Sequence, residues 1–422
     1  MPSFGYEQMR RTDTFLDRIG IPSVLIWGFV GLLLFMVGDG VESGYLAPYL
    51  VSRGLALNDV ATISTFYGAM AALAGWFSGA LSDVWGPRRV ITLGLGIWLV
   101  FQILFLKIGL SHAAYPAILI TYGLRGLGYP LFAFGFLVWI TVAAPKYRLA
   151  SAMGWFWFAF TGGLPTLGSQ IARFSIPRIG AYQTFWLATI LVLTGGVVLL
   201  AGVKEKRGAA RLVAKAEKPI GALLRSISLA WRKPKTGIAC IVRVINTAPE
   251  FGFFVIFPDF FQNTIGFSQT QFLTLLSAIF LSNILWNLLF GLIGDRFGWR
   301  KTIALCGGLG STISTLALYY VPLTTHSYEL SLMVGMLYGA TLAGYVPLSA
   351  LTPMLAPDHR GEALSLLSLG AGAAMLVGPG LVRLFLHPVG VAGLMWIFAL
   401  LYLLSGCLAW TLRNPTDTMA GV

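Results

Sequence analysis

The sequence is poor in charged residues and in metal-binding side chains. Only 11% of its residues are charged, and 422 residues include 4 histidines and 3 cysteines. Because a soluble globular domain has about a quarter of its residues charged, this composition excludes that class. The histidines lack the spacing of a metal cluster, and the cysteines indicate no disulfide framework. Apolar residues dominate instead, at 57% of the chain with 29 phenylalanines and a mean hydropathy of +0.78.

Long apolar runs recur through nearly the whole chain. A membrane-spanning helix needs about 20 apolar residues, and twelve runs of this kind are present. Their length and continuity exclude barrel strands, in which apolar and polar residues alternate. The sequence therefore predicts an all-α integral membrane protein with twelve transmembrane helices. The predicted spans are residues 21–50, 58–82, 88–109, 113–143, 149–172, 181–203, 235–262, 268–292, 301–322, 328–355, 361–386 and 391–412.

A short loop motif occurs twice, 212 residues apart. The sequence GALSDVWGPRR occupies residues 79–89, and GLIGDRFGWRK occupies residues 291–301. Parallel halves of several spans each, with a binding site between them, are a known transporter design. We therefore predict two six-helix bundles, residues 1–203 and 234–422, joined by a linker at residues 204–233.

The net charge of +13 is distributed by topology and not in one stripe that could bind nucleic acid. Basic residues concentrate in alternate loops and in the linker, residues 204–233. Since cytoplasmic loops are enriched in lysine and arginine, we predict that the linker and both termini are cytoplasmic. Residues 1–20 contain several charges and no apolar core, so no removable signal peptide is expected.

Each copy of the loop motif brings a carboxylate and two cations to the same membrane edge. Asp83 and Asp295 each precede a glycine turn and a basic pair, a grouping that can lock two bundles until the charges separate. The alternative is that these basic loops only orient insertion. The motif resembles that of the major facilitator superfamily, although Pro87 and Trp299 replace a usual basic residue. This resemblance covers the whole chain and implies that the loops stabilise the state closed to the cytoplasm. The gate candidates are Gly79, Asp83, Gly86, Arg88, Arg89, Gly291, Asp295, Gly298, Arg300 and Lys301.

Five charged residues lie well inside the predicted spans, away from their ends, namely Asp39, Glu42, Arg125, Arg243 and Glu250. Charges are costly in hydrocarbon, so such residues are functional candidates. Three acids and two arginines leave one negative charge, which one proton would balance. We hypothesise that one of the three acids carries a coupling proton. The alternative is two internal salt bridges and one acid that stays protonated.

Polar and aromatic residues share helix faces with these charges. Arg243, Asn246 and Glu250 follow the i, i+3, i+7 spacing of one face of the seventh helix. Amides exchange hydrogen bonds with hydroxyl groups, and aromatic rings cover the C–H faces of a carbohydrate chain. The alternative is that these side chains only hold helices together. The substrate-binding candidates are Tyr45, Tyr122, Arg125, Tyr129, Trp155, Trp157, Arg243, Asn246, Asn283, Trp286, Asn287, Tyr338 and Tyr345.

Longer strings inside the helices are similar to those of the bacterial polyol permeases, such as ribitol and D-arabinitol transporters. They are GDGVE at residues 38–42, RGLGYPLF at 125–132, GWFW at 154–157 and RVINT at 243–247. The resemblance implies uptake of a sugar alcohol by proton symport across the bacterial inner membrane. Glu250 departs from the pattern of the ribitol and arabinitol carriers, which leaves the exact substrate open.

Two other transport functions remain open. An organic anion such as a sugar acid would be bound by Arg125 and Arg243 as carboxylate clamps. Drug efflux by proton antiport is less favoured, because GGLP at residues 162–165 only loosely resembles the Gly-Pro element of antiporters. Nothing in the sequence indicates an enzyme or a sensor. We expect a monomeric multi-pass protein without cofactor or metal, whose partners are a polyol, protons and the lipid bilayer.

Overall fold

The structure, a computed structural model, describes residues 21–42, 44–112, 114–143, 149–204, 227–356 and 359–413. Every regular element within these ranges is a helix. The predictions for residues 205–226 of the linker and for both chain termini lie outside the described residues.

Six helices form the first half of the chain. They are α1, Ile26–Gly40, which a short helix, Leu46–Ser52, follows; α2, Leu57–Trp85; α3, Pro87–Leu104, continued by a π-helical turn, Phe105–Gly109; α4, made of Tyr115–Arg125 and Gly128–Ala143; α5, made of Leu149–Thr161, a π-helical turn, Gly162–Leu167, and Gly168–Ile179; and α6, Ala181–Gly202.

The second half repeats this arrangement. Its helices are α7, Pro234–Asp259, continued by a π-helical turn, Phe260–Thr264; α8, Gln269–Phe297; α9, made of Trp299–Thr302, a π-helical turn, Ile303–Leu309, and Gly310–Thr325; α10, Tyr328–Ala343, followed by Leu348–Leu355; and α11 and α12, the two parts of Arg360–Thr411 on either side of Gly390. Among the described residues, nine helical segments have the length and hydropathy of a membrane span. The helices coincide with the predicted spans within a few residues at most ends, and the crossing of the membrane by all twelve stays a prediction.

The first predicted span, residues 21–50, is interrupted in the structure. Helix α1 ends at Gly40, and the chain turns before Leu46 begins the next helix. Gly38 and Gly40 weaken the helix here because glycine lacks a side chain that restricts the backbone. Tyr45 therefore does not continue the face of α1 that carries Asp39.

The non-helical part of the loop motif is a single residue in each half, because both flanking helices extend into the motif. Only Gly86 separates α2 from α3, and only Gly298 separates α8 from α9. The two glycines have φ angles of 88° and 93°, a left-handed conformation that L side chains rarely adopt. Pro87 occupies the first position of α3, where a missing N–H has no cost. The expected glycine turn is therefore present in both halves.

The two bundles pack against each other along α2 with α11 and along α5 with α8. A Cβ atom at Gly68 of α2 would collide with the main chain of Met375 in α11, and one at Gly372 would lie 3.3 Å from Ala72. Between α5 and α8, the Ser277 hydroxyl donates to the carbonyl oxygen of Thr166 at 3.0 Å. Small residues at such contacts let helices approach closely in lipid.

These contacts run from the middle of the helices towards the ends that are away from the linker. Helix α6 ends and α7 begins at the linker, so α2 begins and α11 ends on the opposite side of the bundles. Towards that opposite side, Gly380 of α11 lies 3.8 Å from Thr65 of α2, measured from the position that a Cβ atom would take. The described contacts therefore close the space between the bundles on the side opposite the linker.

Candidate functional site

The N-terminal bundle contains a buried ion pair between α4 and the turn that follows α1. The Nη1 atom of Arg125 donates to Oε2 of Glu42 at 2.8 Å, and Nη2 of the same guanidinium donates to Oε1. The hydroxyl of Tyr122 also donates to Oε1, at 3.1 Å. Arg125 is 0% exposed and Glu42 is 3% exposed. The pair is thus bidentate and removed from solvent, the geometry in which arginine binds a carboxylate most strongly.

Asp39 is the second carboxylate of this cluster. Its Oδ1 atom accepts a hydrogen bond from Nε1 of Trp98 in α3 at 2.6 Å. Nη2 of Arg125 lies 3.8 Å from the same oxygen. A further α3 residue, Gln102, accepts from Nη1 of Arg125 at 2.5 Å. Helix α1 with the turn after it, α3 and α4 hold two carboxylates around one guanidinium group. We call Asp39, Glu42 and Arg125 the carboxylate cluster.

Aromatic rings surround the guanidinium group. Its Cζ atom lies 4.4 Å from the ring centre of Tyr122, 5.0 Å from that of Trp98 and 5.5 Å from that of Tyr67 in α2. Within about 6 Å, the electron-rich face of an aromatic ring attracts a cation. Arg125 is therefore held by two carboxylates and by rings from three helices.

Three residues of this site were missing from the sequence prediction, namely Tyr67, Trp98 and Gln102. Only Gln102 had a usable signal, because it is a single amide within the apolar run of α3 and follows Trp98 by one helical turn. Tyr67 and Trp98 are indistinguishable in sequence from aromatic residues that fill a membrane helix bundle.

Glycines bring the helices close enough for the cluster to form. A Cβ atom at Gly128 of α4 would lie 2.6 Å from Cβ of Trp98, and one at Gly94 of α3 would lie 2.5 Å from the backbone nitrogen of Phe132. A larger residue at either position would separate α3 from α4. The RGLGYPLF string therefore matters here through its glycines as well as through Arg125.

The C-terminal bundle presents a different arrangement of charge on α7. Arg243 and Glu250 are seven residues apart, so their backbones are about 10 Å apart along the helix. Both side chains are half-buried. Within the described residues, Arg243 forms no ion pair with Glu250 or with any other acid. Arg243 thus differs from Arg125, whose charge is already paired.

The two tyrosines of α10 and its following turn that were predicted to bind substrate form hydrogen bonds to α12 instead. The Tyr338 hydroxyl lies 2.8 Å from that of Tyr402 in α12, which also donates to the carbonyl oxygen of Asn246 at 3.3 Å. The Tyr345 hydroxyl bonds to that of Ser405 in α12. Tyr338 in α10 and Tyr345 in the turn after it are each 1% exposed. Their hydroxyl groups join α10, α12 and α7, and the sequence prediction did not include the α12 partners.

The predicted polar face of α8 has one residue that packs against α10 and two that are partly exposed. Nδ2 of Asn283 donates to the carbonyl oxygen of Gly339 in α10 at 3.0 Å. Asn287 is half-buried, and its Nδ2 atom donates to Oδ1 of Asn283 at 3.3 Å. Trp286 is 38% exposed. Asn283 therefore holds α8 against α10, while Asn287 and Trp286 extend the face away from that contact.

The remaining substrate-binding candidates are Tyr45, Tyr129, Trp155 and Trp157, and they lie in different parts of the N-terminal bundle. The Tyr45 hydroxyl donates to the carbonyl oxygen of Ala181 in α6 at 3.3 Å, and the residue is 0% exposed. The Tyr129 hydroxyl donates to Sδ of Met375 at 2.6 Å and so links α4 to α11. In α5, Trp155 is half-buried and Trp157 is exposed. The structure therefore brings Tyr122 and Arg125 into the carboxylate cluster but does not bring Tyr45 into it by a hydrogen bond.

The basic pairs of the loop motif are divided between two environments. Nη2 of Arg88 donates to the carbonyl oxygen of Leu200 at the end of α6, at 2.7 Å. Its counterpart Arg300 lies over the ring of Trp410 at the end of α12, with 5.6 Å between Cζ and the ring centre. Their neighbours, Arg89 and Lys301, are exposed. Each first cation thus contacts the last helix of its own bundle.

The other gate candidates include both aspartates of the loop motif. No heavy atom lies within 4 Å of a Cβ atom placed at Gly79. The side chains of Asp83 and Asp295, and the surroundings of Gly291, are outside the part of the chain that the structure describes. The gating role of these residues stays a prediction.

Residues 28–242 and 239–420 each match the Major Facilitator Superfamily. Together the two matches span nearly the whole chain and correspond to its two halves. The chain therefore belongs to the major facilitator superfamily, as its loop motif suggested. It is a multi-pass transporter of the bacterial inner membrane and not an enzyme.

Similar proteins transport more than one class of compound. The chain is 42% identical to an alpha-ketoglutarate permease of Bacillus subtilis (strain 168) over 93% of this chain and 90% of that protein. It is 35% identical to a D-arabinitol transporter of Klebsiella pneumoniae over 92% of both chains. A ribitol transporter of the same organism is also 35% identical, over 92% of this chain and 91% of that one. The predicted similarity to polyol transporters is confirmed.

Solved structures of another transporter share the fold. A peptide transporter POT in complex with sulfate has a TM-score of 0.74 over 92% of this chain and 94% of that one, at 16% sequence identity. At this identity the likeness concerns the fold alone.

Proposed function

We propose that this protein imports a small polar metabolite together with a proton. The observation that carries the proposal is the carboxylate cluster, in which two buried acids share one guanidinium group. When Asp39 and Glu42 are both ionised, one negative charge remains without a counter-charge. Burial of such a charge is costly, and a single proton removes it. The cluster is therefore a site where taking up and releasing a proton changes the local energetics.

For the substrate, we propose a sugar alcohol. A neutral substrate leaves the net charge of the cluster unchanged, because two acids, one arginine and one proton already sum to zero. Asn287 and Trp286 on α8 offer the amide and the ring face that bind hydroxyl groups and C–H faces. The names of the D-arabinitol and ribitol transporters, both 35% identical to this chain, support this class.

Arg243 favours a second candidate, a small carboxylate. Its guanidinium group has no ion pair within the described residues and lies on a half-buried face of α7. Arginine binds carboxylates in a bidentate manner, so the anion would supply the missing partner. The 42% identical alpha-ketoglutarate permease supports this candidate.

The transport cycle that we propose is alternating access, with the two bundles rocking around a central site. The described bundle contacts run from the middle of the helices to the side opposite the linker. With the linker in the cytoplasm, as the distribution of charge predicts, this arrangement is closed to the outside. In the proposed cycle, the carboxylate cluster releases its proton towards the cytoplasm from this state.

Uptake into proteoliposomes tests both the coupling and the substrate. The purified protein is reconstituted, and uptake of labelled ribitol and, separately, of labelled alpha-ketoglutarate is measured with and without an inward proton gradient. Unlabelled D-arabinitol, mannitol, ribonate and alpha-ketoglutarate are added in turn as competitors. Competition by polyols alone supports the sugar alcohol, and competition by the two acids alone supports the carboxylate. Uptake that is indifferent to the proton gradient for every substrate would overturn the proposal.

A further inference from the structure

We propose that Tyr67 couples the carboxylate cluster to the contact between the two bundles. The proposal rests on the proposed proton site and adds a positioning residue to it. Tyr67 lies in α2, the helix that packs against α11 of the other bundle. Its ring touches the cluster, while its neighbour in sequence touches the opposite bundle.

On the cluster side, Tyr67 faces the charged group through its ring. The ring centre lies 5.5 Å from Cζ of Arg125 and 4.8 Å from the ring centre of Tyr122, which bonds to Glu42. The backbone of α2 is also fixed here, because a Cβ atom at Gly126 would collide with the carbonyl oxygen of Tyr67. Tyr67 therefore cannot move without disturbing the surroundings of Arg125.

On the bundle side, two contacts converge on Met375 of α11. The main chain at Gly68, the residue after Tyr67, packs directly against the Met375 carbonyl group. The Tyr129 hydroxyl donates to Sδ of Met375 at 2.6 Å, and its ring stacks with that of Tyr67 at 6.3 Å between centres. Met375 of α11 thus contacts Gly68, which follows Tyr67 in the sequence, and Tyr129, whose ring stacks with that of Tyr67.

Protonation redistributes the attractions that act on Arg125. The charged and titratable groups around Asp39 and Glu42 are Arg125, Tyr67, Tyr122, Tyr129 and Tyr45. When one carboxylate becomes neutral, its attraction for the guanidinium group weakens, while the attraction of the aromatic faces is unchanged. Arg125 is then held less by the protonated carboxylate and relatively more by the three rings, of which Tyr67 is the one in α2. Since Gly68 and Met375 are in direct contact, this shift acts on the contact between α2 and α11.

The test compares Tyr67→Leu, which removes the aromatic face, with Tyr67→Phe, which keeps it. The readout is the rate of proton-driven uptake divided by the rate of substrate counterflow at equal pH. Both rates scale with the amount of folded protein, so a loss of folded protein does not change their ratio. We expect the ratio to fall by about 2- to 30-fold in Tyr67→Leu, the range that loss of one cation–π interaction allows. Tyr67→Phe should retain the wild-type ratio. If Tyr67→Leu does not fold, Tyr67→Met replaces it, because it also lacks the ring.

A second readout follows the contact itself. At the ends of α2 and α11 that are away from the linker, the side-chain amide of Asn58 lies within hydrogen-bonding distance of Arg383. Asn58→Cys and Arg383→Cys are introduced there, with the native cysteines replaced by serine. Cross-linking of this pair should change with pH in the wild-type background and in Tyr67→Phe, but not in Tyr67→Leu. A wild-type ratio and a wild-type pH response in Tyr67→Leu would overturn the role of Tyr67. Retained proton coupling in both Asp39→Asn and Glu42→Gln would instead overturn the proposed proton site.

Discussion

Arg125 of α4 and Glu42, in the turn after α1, form a bidentate ion pair inside the N-terminal bundle. The sequence placed both residues in predicted spans, and the structure places them in contact with almost no exposure. Because each charge is buried, each depends on the other. The first prediction concerns what happens when one of the two is removed.

Replacing Arg125 by glutamine should destabilise the protein strongly. The change leaves Glu42 buried without its partner, and loss of one member of a buried pair costs about 3–5 kcal/mol. The double variant Arg125→Gln/Glu42→Gln should recover part of that loss, since neither charge then remains. Thermal unfolding in detergent, followed by tryptophan fluorescence, measures both. A double variant that is less stable than Arg125→Gln alone would contradict the pairing.

Trp98→Phe should lower stability through Asp39. The variant keeps an aromatic ring but loses the hydrogen bond from Nε1 to Oδ1, and a hydrogen bond to a charged group contributes about 1.5–3 kcal/mol. Trp76→Phe is the matched control, because the indole nitrogen of Trp76 is buried without a partner in the described structure. Unfolding should shift clearly for Trp98→Phe and little for Trp76→Phe. Equal shifts would show that only ring packing matters at position 98.

The fold was predictable from sequence to a greater extent than the site. Apolar runs determine where helices lie, so the spans agree with α1–α12. Interruptions were harder, as at Gly40, because a glycine in a membrane helix can serve either packing or a turn. Within the site, Asp39, Glu42 and Arg125 could be identified from the sequence, because charged residues are rare inside membrane spans. Trp98 did not, because its role depends on which helix lies beside α1.

The second half shows the same limit. Spacing grouped Tyr338 and Tyr345 as ligand candidates, but a face that is polar in sequence can point to another helix. Their hydroxyl groups bond to Tyr402 and Ser405 of α12. Helix periodicity gives the relative direction of residues on one helix and not the identity of the neighbouring helix, which is a tertiary property.

Gly68→Ala should shift the equilibrium between the two states of the transporter. A Cβ atom at this position collides with the Met375 main chain, and overpacking of this kind costs about 1–3 kcal/mol. The state with α2 against α11 should therefore become about 5- to 150-fold less favoured relative to the opposite state. Cross-linking between Asn58→Cys and Arg383→Cys should decrease accordingly.

Gly96→Ala is the control for this variant. Gly96 also lies inside a helix, α3, but no heavy atom lies within 4 Å of its would-be Cβ atom. The substitution should leave cross-linking unchanged and should stabilise the helix by about 0.5–1 kcal/mol. A Gly68→Ala protein that cross-links as efficiently as Gly96→Ala would show that this contact is not tight.

Arg88→Gln and Arg89→Gln should differ although the residues are adjacent. Arg88 donates to the carbonyl oxygen of Leu200, so its removal should cost about 1.5–3 kcal/mol of stability. Arg89 is exposed, and its replacement should change stability by no more than about 0.5 kcal/mol. Thermal unfolding of the two variants decides this. The opposite order would mean that the first cation of the loop motif does not hold α3 against α6.

The proposal that the carboxylate cluster carries the proton is tested most directly by substrate-elicited proton movement in proteoliposomes. Wild type is compared with Asp39→Asn, Glu42→Gln and Glu250→Gln, using a pH-sensitive dye and the substrate identified by competition. Proton movement should be lost in Asp39→Asn or Glu42→Gln while counterflow of the substrate persists, and it should remain in Glu250→Gln. Proton movement that survives in both cluster variants, or that disappears only in Glu250→Gln, would contradict the assignment of the proton to this cluster.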